Sequence, residues 1–403
     1  MATRTLVIGF LPLVDACLPI LAQEHGFAEE EGLNLSFVRD VSWATVLDRL
    51  LYGHTDAAHM LAPLAIATTL GRGRKAHALA APFVLGLNGN AITLNRELAR
   101  KIATPGEFGD PRGVGTALRI EAEAARRAGR RLRLGVVHRY SSHNYKLRYW
   151  LAASGIRPDD DVEITTIAPP FVADALASGE IDGACVGEPW NSVCVERGVG
   201  TIVLATAQIW RRGVEKVLAM REARLAELRP EAEALIRAMR KAGRHFVDPA
   251  NWDTNAAILA RSEYVNADRS LILRAISDRL VLEKGAGEVH FPDFMFQYAE
   301  AANFPWVSQA AWLYSQMVRW DHFPVNEEDL ARAMRVFRPD IYRSALKHSG
   351  DDLPAANAKV EGSLAQPMQV GAQQGAITLS PNTFFDGRTF DPDRLEDYLA
   401  QCE

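Results

Sequence analysis

The sequence predicts an α/β fold of two lobes with a ligand cleft between them, and three observations carry that expectation. At 403 residues the chain is longer than one hydrophobic core usually supports. Short apolar runs alternate with amphipathic helical segments from the first residues onward, the pattern of parallel strands joined by helical crossovers. After a charged stretch the same alternation resumes, as a second sheet requires.

The first set of strands is expected at 6–10, 33–39, 57–61 and 78–84, with helices at 16–25, 43–52 and 63–70. Gly26 and Gly53 end two of those helices. The second set places strands at 90–94, 132–137, 162–167, 183–186 and 201–205, with helices at 143–153 and 171–178. Beyond it the chain turns helical, at 221–244, 252–280 and 326–347. That suggests a return to the first lobe, so lobe 1 is assigned residues 1–93 plus 208–403 and lobe 2 residues 94–207. The tail, with Pro381, Pro392, Phe384 and Phe385, has weak periodicity and reads as an extended strap over the surface. Two such lobes set the carboxyl ends of two sheets and several helix N-termini around one cleft, and clefts of that kind bind anions.

Composition narrows the function. Hydrophobic residues at 48% and charged residues at 24% are those of an ordinary globular chain, which excludes a disordered or fibrous protein. A formal charge of -5 argues against direct nucleic-acid binding. Cys17, Cys185, Cys194 and Cys402 form no CxxC pair and have no histidine at metal-ligand spacing, so they read as core thiols and no metal is expected. The strand-like LVIGF at the start follows no apolar leader, and no apolar run reaches the roughly 20 residues of a membrane span. A cytoplasmic location is the expectation. Absence of GxSxG, GxxxxGK[ST], HExxH and dinucleotide fingerprints points to a binding protein that is not an enzyme and uses no cofactor.

Three segments offer anion-binding chemistry. In Val41-Ser42-Trp43-Ala44-Thr45, Ser42 is a good N-cap and Trp43 opens an amphipathic helix, so its indole N–H, a donor only, stands beside free amides and the positive end of the helix dipole. A plain core tryptophan explains the same residues. Ser141-Ser142-His143-Asn144-Tyr145 repeats the design, with a serine cap and an imidazole N–H in the first turn; a surface or hydrogen-bonded core histidine is the alternative. In Trp210 to Ala219 a lysine, Lys216, interrupts an apolar strand near the crossover between lobes. A buried lysine needs a partner, either a bound anion or a salt bridge to Glu188 or Asp182. Glu188-Pro189-Trp190 reads as a hinge or supporting carboxylate, or simply as a helix start with proline at its first position. The six arginines between Arg119 and Arg133 read as a solvated helix, with a protein-docking surface as the alternative.

These residues resemble a known family, the nitrate-binding proteins of ABC importers and their cytoplasmic NasS-type sensor relatives. The segments that carry the likeness are VSWATVLDRLLYG, DAAHMLAPLAIA, LNGNAITLN, SSHNYKLRYWLAASGI, GEIDGACVGEPWN and IWRRGVEKVLAM, with FFDGRTFDPDRLEDYL near the end. The resemblance implies the type II periplasmic-binding-protein fold. It also implies an anion held by Trp43, Asn90, His143 and Lys216, with Ser42, Ser142, Asp182 and Glu188 as supporting or hinge residues. Asn90 enters through the resemblance alone, and stands where importers carry glutamine. The lysine at position 216 favours nitrate or nitrite over bicarbonate, whose receptors carry an acidic residue there for calcium. By resemblance to the sensor branch, the chain would sequester a NasT-type RNA-binding antiterminator until the anion binds. The alternatives are the substrate-binding component of a nitrate/nitrite importer and, from another class, a thiamine-pyrimidine synthase-like enzyme on the same fold.

Overall fold

The computed structural model describes residues 3–104 and 106–402. Among the described residues two five-stranded sheets form the centres of two lobes. In chain order their strands are β1 (Arg4–Phe10), β2 (Leu33–Arg39), β3 (Ala57–Leu61), β4 (Leu79–Val84), β5 (Asn90–Asn95), β6 (Leu132–Val136), β7 (Val162–Thr166), β8 (Gly183–Gly187), β9 (Gly200–Ala205) and β10 (Lys216–Arg221). The first sheet runs β2-β1-β3-β10-β4 and the second β9-β5-β8-β6-β7.

Strands linked by helices pair in parallel, β1 with β2 and β3, and β6 with β7 and β8. The two strands by which the chain changes lobe are antiparallel to their neighbours: β5 pairs β8 and β9, and β10 pairs β3 and β4. Because Asn90 already pairs with Gly187 in the second sheet, lobe 2 begins at Asn90 and not at residue 94.

The C-terminal half departs from the sequence expectation in three places. The helical stretch expected at 252–280 is two helices, Trp252–Leu259 and Arg269–Ile276, the second started by Asp268, whose side chain accepts from the Ser270 amide at 2.7 Å. The stretch at 326–347 breaks at Pro339, which cannot continue a helix from the residue before it. Helix Val307–Asp321 has no counterpart in the sequence expectation: residues 308–317 are all buried, and its polar side is mostly uncharged, with Ser308 and Gln309 bonded to Glu361 and the Arg212 carbonyl inside the protein.

The tail is less of a strap than its composition suggests. Phe384 is buried and stacks on Trp210, with ring centroids 5.0 Å apart, and on Trp312, at 5.7 Å. The chain then ends in helix Leu395–Ala400, from which Tyr398 accepts a hydrogen bond from the Trp312 indole at 3.1 Å. These C-terminal segments also meet the second lobe. Tyr145 donates to Asp321 at 2.8 Å, Arg139 pairs with Asp321 at 2.7 Å, and Tyr149 donates to Asp386 at 2.8 Å. Cys185 and Cys194 are free buried thiols.

Candidate functional site

Two capped helices, one from each lobe, build the walls of the cleft. In helix Trp43–Leu51 the Ser42 side chain accepts from the Thr45 amide at 3.2 Å, an N-cap worth about 1 kcal/mol. Trp43, Val46, Leu47 and Leu50 fall on one face and are all buried, which stabilises the helix by roughly 1.5–3 kcal/mol per side chain. Gly53, at φ +78°, ends it in a conformation that favours glycine. In helix Ser142–Ala153 the cap is Ser141, which accepts from the Asn144 amide at 3.1 Å. Ser142 is therefore free to turn elsewhere, and its hydroxyl donates to Glu215 across the cleft at 2.9 Å.

Lys216 stands at the centre. It is the first residue of β10, wholly buried, and its Nζ lies 2.7 Å from Asp15 Oδ2, 3.3 Å from Asn90 Oδ1, 3.4 Å from Glu215 Oε2 and 3.5 Å from His143 Nε2. Asp15 comes from the turn after β1, Asn90 from the start of β5 and His143 from the first turn of its helix, so both lobes meet on one ammonium. Asp15 Oδ1 in turn meets His59 Nε2 at 2.9 Å, and the His59 ring lies 5.2 Å from that of Trp43. Glu215 also pairs with Lys146, a second buried lysine on the helix of the second lobe. Gly187 closes one side: a methyl group there would sit 3.0 Å from Asn90 Oδ1 and 3.2 Å from a Leu13 methyl.

Charge is apportioned by these contacts. Burial opposes ionisation of Lys216, but Asp15 and Glu215 outweigh it and raise its pKa. Burial likewise disfavours the Glu215 carboxylate, yet Lys146 and Lys216 bring it down to about 2. Asp15, buried too, is held well below the ordinary carboxylate range by Lys216 and His59. Burial and the neighbouring Lys216 lower His143 to about 3, so its imidazole is neutral.

Donor logic then fixes several orientations. An ammonium only donates, so His143 presents Nε2 as acceptor and carries its proton on Nδ1. By the same rule Asn90 turns its oxygen to Lys216 and its NH2 away. Among the described residues, three donors on the predicted site residues are buried without an acceptor, Trp43 Nε1, Asn90 Nδ2 and His143 Nδ1, as are others elsewhere such as Trp210 Nε1 and Asn382 Nδ2. Buried polar groups are normally paired, so these donors, two of them on side chains that meet Lys216 and the third on Trp43 beside His59, mark a place where a ligand could supply acceptors.

The structure thus brings Trp43, Asn90, His143 and Lys216 together, all buried. The supporting residues divide. Ser42 and Ser142 act as described. Glu188 accepts from the Val14 amide through its main chain at 2.9 Å, joining the lobes beside Asp15, while its side chain turns back to the Ser192 amide at 3.4 Å. Pro189 is the N-cap of helix Trp190–Glu196, one position earlier than expected. Asp182 is a correction: it lies just before β8, at the opposite end of that strand from Gly187, where its carboxylate accepts from the Arg133 amide at 2.8 Å. Lys216 pairs with neither Asp182 nor Glu188 but with Asp15 and Glu215. Those two carboxylates, together with His59 and Lys146, escaped sequence reasoning; for Asp15 and His59 a lone polar residue inside the apolar runs LPLVDACLPI and AAHML was the available signal.

Comparison with known proteins gives the geometry a lineage. Residues 2–260 match the NMT1-like family. The nitrate/nitrite binding protein NrtA of Synechococcus elongatus is 30% identical over 408 residues, covering 98% of this chain and 85% of that protein. The bicarbonate transport ATP-binding protein CmpC of the same organism is 32% identical over 349 residues, covering 86% of this chain; the chain spans only 50% of the length of such ATP-binding relatives. The crystal structure of the periplasmic nitrate-binding protein NrtA from Synechocystis superposes with a TM-score of 0.85 at 25% identity, covering 100% of this chain and 99% of that one. The fold is the two-lobed periplasmic-binding-protein fold, and the nitrate-binding relatives are receptors, not enzymes. The chain belongs to the NMT1-like family.

Proposed function

We propose that this protein is a receptor for nitrate or nitrite and serves as the substrate-binding component of an ABC importer. The observation that carries the reading is the buried Lys216 ammonium, with the unpaired donors Trp43 Nε1, Asn90 Nδ2 and His143 Nδ1 on the side chains of its cluster. A small planar oxyanion accepts at every oxygen and supplies the missing acceptors, with Lys216 adding a charge-assisted bond. The carboxylates of Asp15 and Glu215 do not repel the ligand outright, because each is neutralised by its lysine.

The names of the relatives back the importer receptor. The cytoplasmic sensor and its NasT-type partner rest on the sequence resemblance alone and draw no support from those relatives. Calorimetry with nitrate, nitrite and bicarbonate tests the ligand: nitrate or nitrite binds more tightly than bicarbonate if the reading holds, and the reverse order overturns it. A NasT-type protein that co-elutes with the chain and is released by nitrate would overturn the importer assignment.

A further inference from the structure

A second hollow, sharing no residue with the cleft, lies in lobe 1 between helix Arg229–Val247 and the chain that follows helix Pro339–Leu346. It measures about 460 Å³, within the range of about 300–1,000 Å³ in which proteins hold small ligands. Arg237, Arg240, Lys241 and Arg244 stand at i, i+3, i+4 and i+7 of the first helix, so they share one face and line the hollow together. Lys347 lines it from the other segment. His348 aside, five cations therefore face three carboxylates, Glu31, Glu233 and Asp351.

Depth separates the two signs. The side chains of Asp351, Glu31 and Glu233 are 6%, 14% and 21% exposed, against 37%, 41% and 66% for Arg237, Lys241 and Arg244. Only Arg240, bonded to Asp351 at 2.9 Å and to the Tyr298 carbonyl at 2.6 Å, is drawn down with the acids. The deep carboxylates are also paired, Glu31 with Arg237 at 2.7 Å and Lys241 at 2.8 Å, and Glu233 with Arg229 at 2.6 Å. Arg237 spends its Nε on Glu31 and Arg244 its Nε on the Tyr298 hydroxyl, which leaves both guanidinium forks without a hydrogen bond of their own among the described residues. The Leu346 carbonyl, at the end of its helix, is already taken by the Ser349 amide at 3.0 Å and hydroxyl at 2.8 Å. The charge that this hollow turns to a solute is thus positive.

We propose that it is a second binding site, for a small anion of two or more charges carried on separate carboxylate or phosphate groups. A guanidinium fork takes such a group by two parallel bonds. Arg237 and Arg244 are two turns apart, about 10 Å along the helix, so a ligand that meets both carries an anionic group at each end. Nitrate, with one charge, does not span them.

The test is calorimetry on the full chain with citrate and, separately, pyrophosphate at low ionic strength. One equivalent is expected to bind with a dissociation constant below about 1 mM, and the tighter of the two probes names the anionic group. Arg244→Gln combined with Lys347→Gln, both on exposed side chains, is expected to weaken that binding by about tenfold or more. Arg112→Gln combined with Arg127→Gln removes the same charge from an exposed face elsewhere and is expected to change it by less than about twofold. Nitrate in place of chloride at equal ionic strength is expected to leave it unchanged. Failure of both probes to bind overturns the inference, as do equal losses in the two double variants, which would mark an effect of net charge. Competition by nitrate also overturns it, by placing the probe in the cleft.

Discussion

Lys146 of the second lobe and Glu215 of the first form an ion pair that spans the cleft with both side chains buried. Glu215 is further held by Ser142 and Lys216, so a single carboxylate ties the helix of one lobe to the sheet of the other. Removing one partner strands the other charge. Lys146→Ala is expected to destabilise the protein by about 3–5 kcal/mol, and Lys146→Met combined with Glu215→Gln to recover most of it. Urea unfolding measures both, and a Lys146→Ala loss under about 1 kcal/mol would refute the role given to the pair.

The same carboxylate sets an acid limit. Its folded pKa of about 2 lies below the ordinary 4.5, so the stability it contributes is complete above about pH 4.5 and is lost as pH falls towards 2. Acid titration of unfolding should show Glu215→Gln losing less stability than the parent protein across that window.

Anion affinity should depend on charge more than on any single neutral donor. Lys216→Ala removes the ammonium and is expected to weaken nitrate binding by well over tenfold, in line with about 1.5–3 kcal/mol for a charge-assisted bond. Trp43→Phe keeps a ring and deletes the indole N–H, so a smaller loss of about 0.5–1.5 kcal/mol is expected. Calorimetry ranks the two, and an unchanged affinity for Lys216→Ala would remove it from the site.

Glu188 titrates in the opposite sense from Glu215. Burial raises it to about 7 with only weak help from the Ser192 amide, so its contribution to stability is full below about pH 4.5 and is lost as pH rises through 7. Glu188→Gln is therefore expected to gain on the parent protein at alkaline pH, by on the order of 3 kcal/mol relative to acid conditions. Denaturant unfolding on either side of pH 7 measures the difference; a gap that does not vary with pH would contradict it.

Gly187 is needed for space rather than for its backbone. A methyl group there presses on Asn90 Oδ1 at 3.0 Å and on Leu13 at 3.2 Å. Gly187→Ala should push the Asn90 amide out of register with Lys216 and weaken nitrate binding by roughly fivefold, about 1 kcal/mol, with a smaller effect on stability. Equal affinity in the two proteins would show that the amide adjusts freely.

Much of this architecture is legible in the sequence because strands and capped helices leave local marks. Ser42 before Trp43, the serines before His143, and a lysine inside an apolar strand are signals within a few residues of the side chains they announce. Asp15 and His59 leave only the mark of a lone polar residue in an apolar run, and Lys146 and Glu215 leave none. The meaning of each lies in a partner 44 to 69 positions away, as in the His59–Asp15 and Lys146–Glu215 contacts, and no periodicity encodes that distance. Helix Val307–Asp321 is hidden for a related reason: its polar side, Ser308, Gln309, Ser315 and Gln316, is uncharged and buried against protein, so it lacks the charged face of a surface helix. Asn90, on a strand with nothing unusual around it, is visible only through family likeness.

The bonds from Asp321 and Asp386 to Tyr145, Arg139 and Tyr149 have a further consequence. They splint the second lobe from behind, using chain that lies beyond residue 260, where the family match ends. If these bonds hold the lobes in the arrangement that surrounds Lys216, the ligand has less of the closure to drive. Tight capture of an ion as small and weakly interacting as nitrate is then a matter of a preformed socket, and cutting the splint should reduce affinity without touching a single residue that meets the ion.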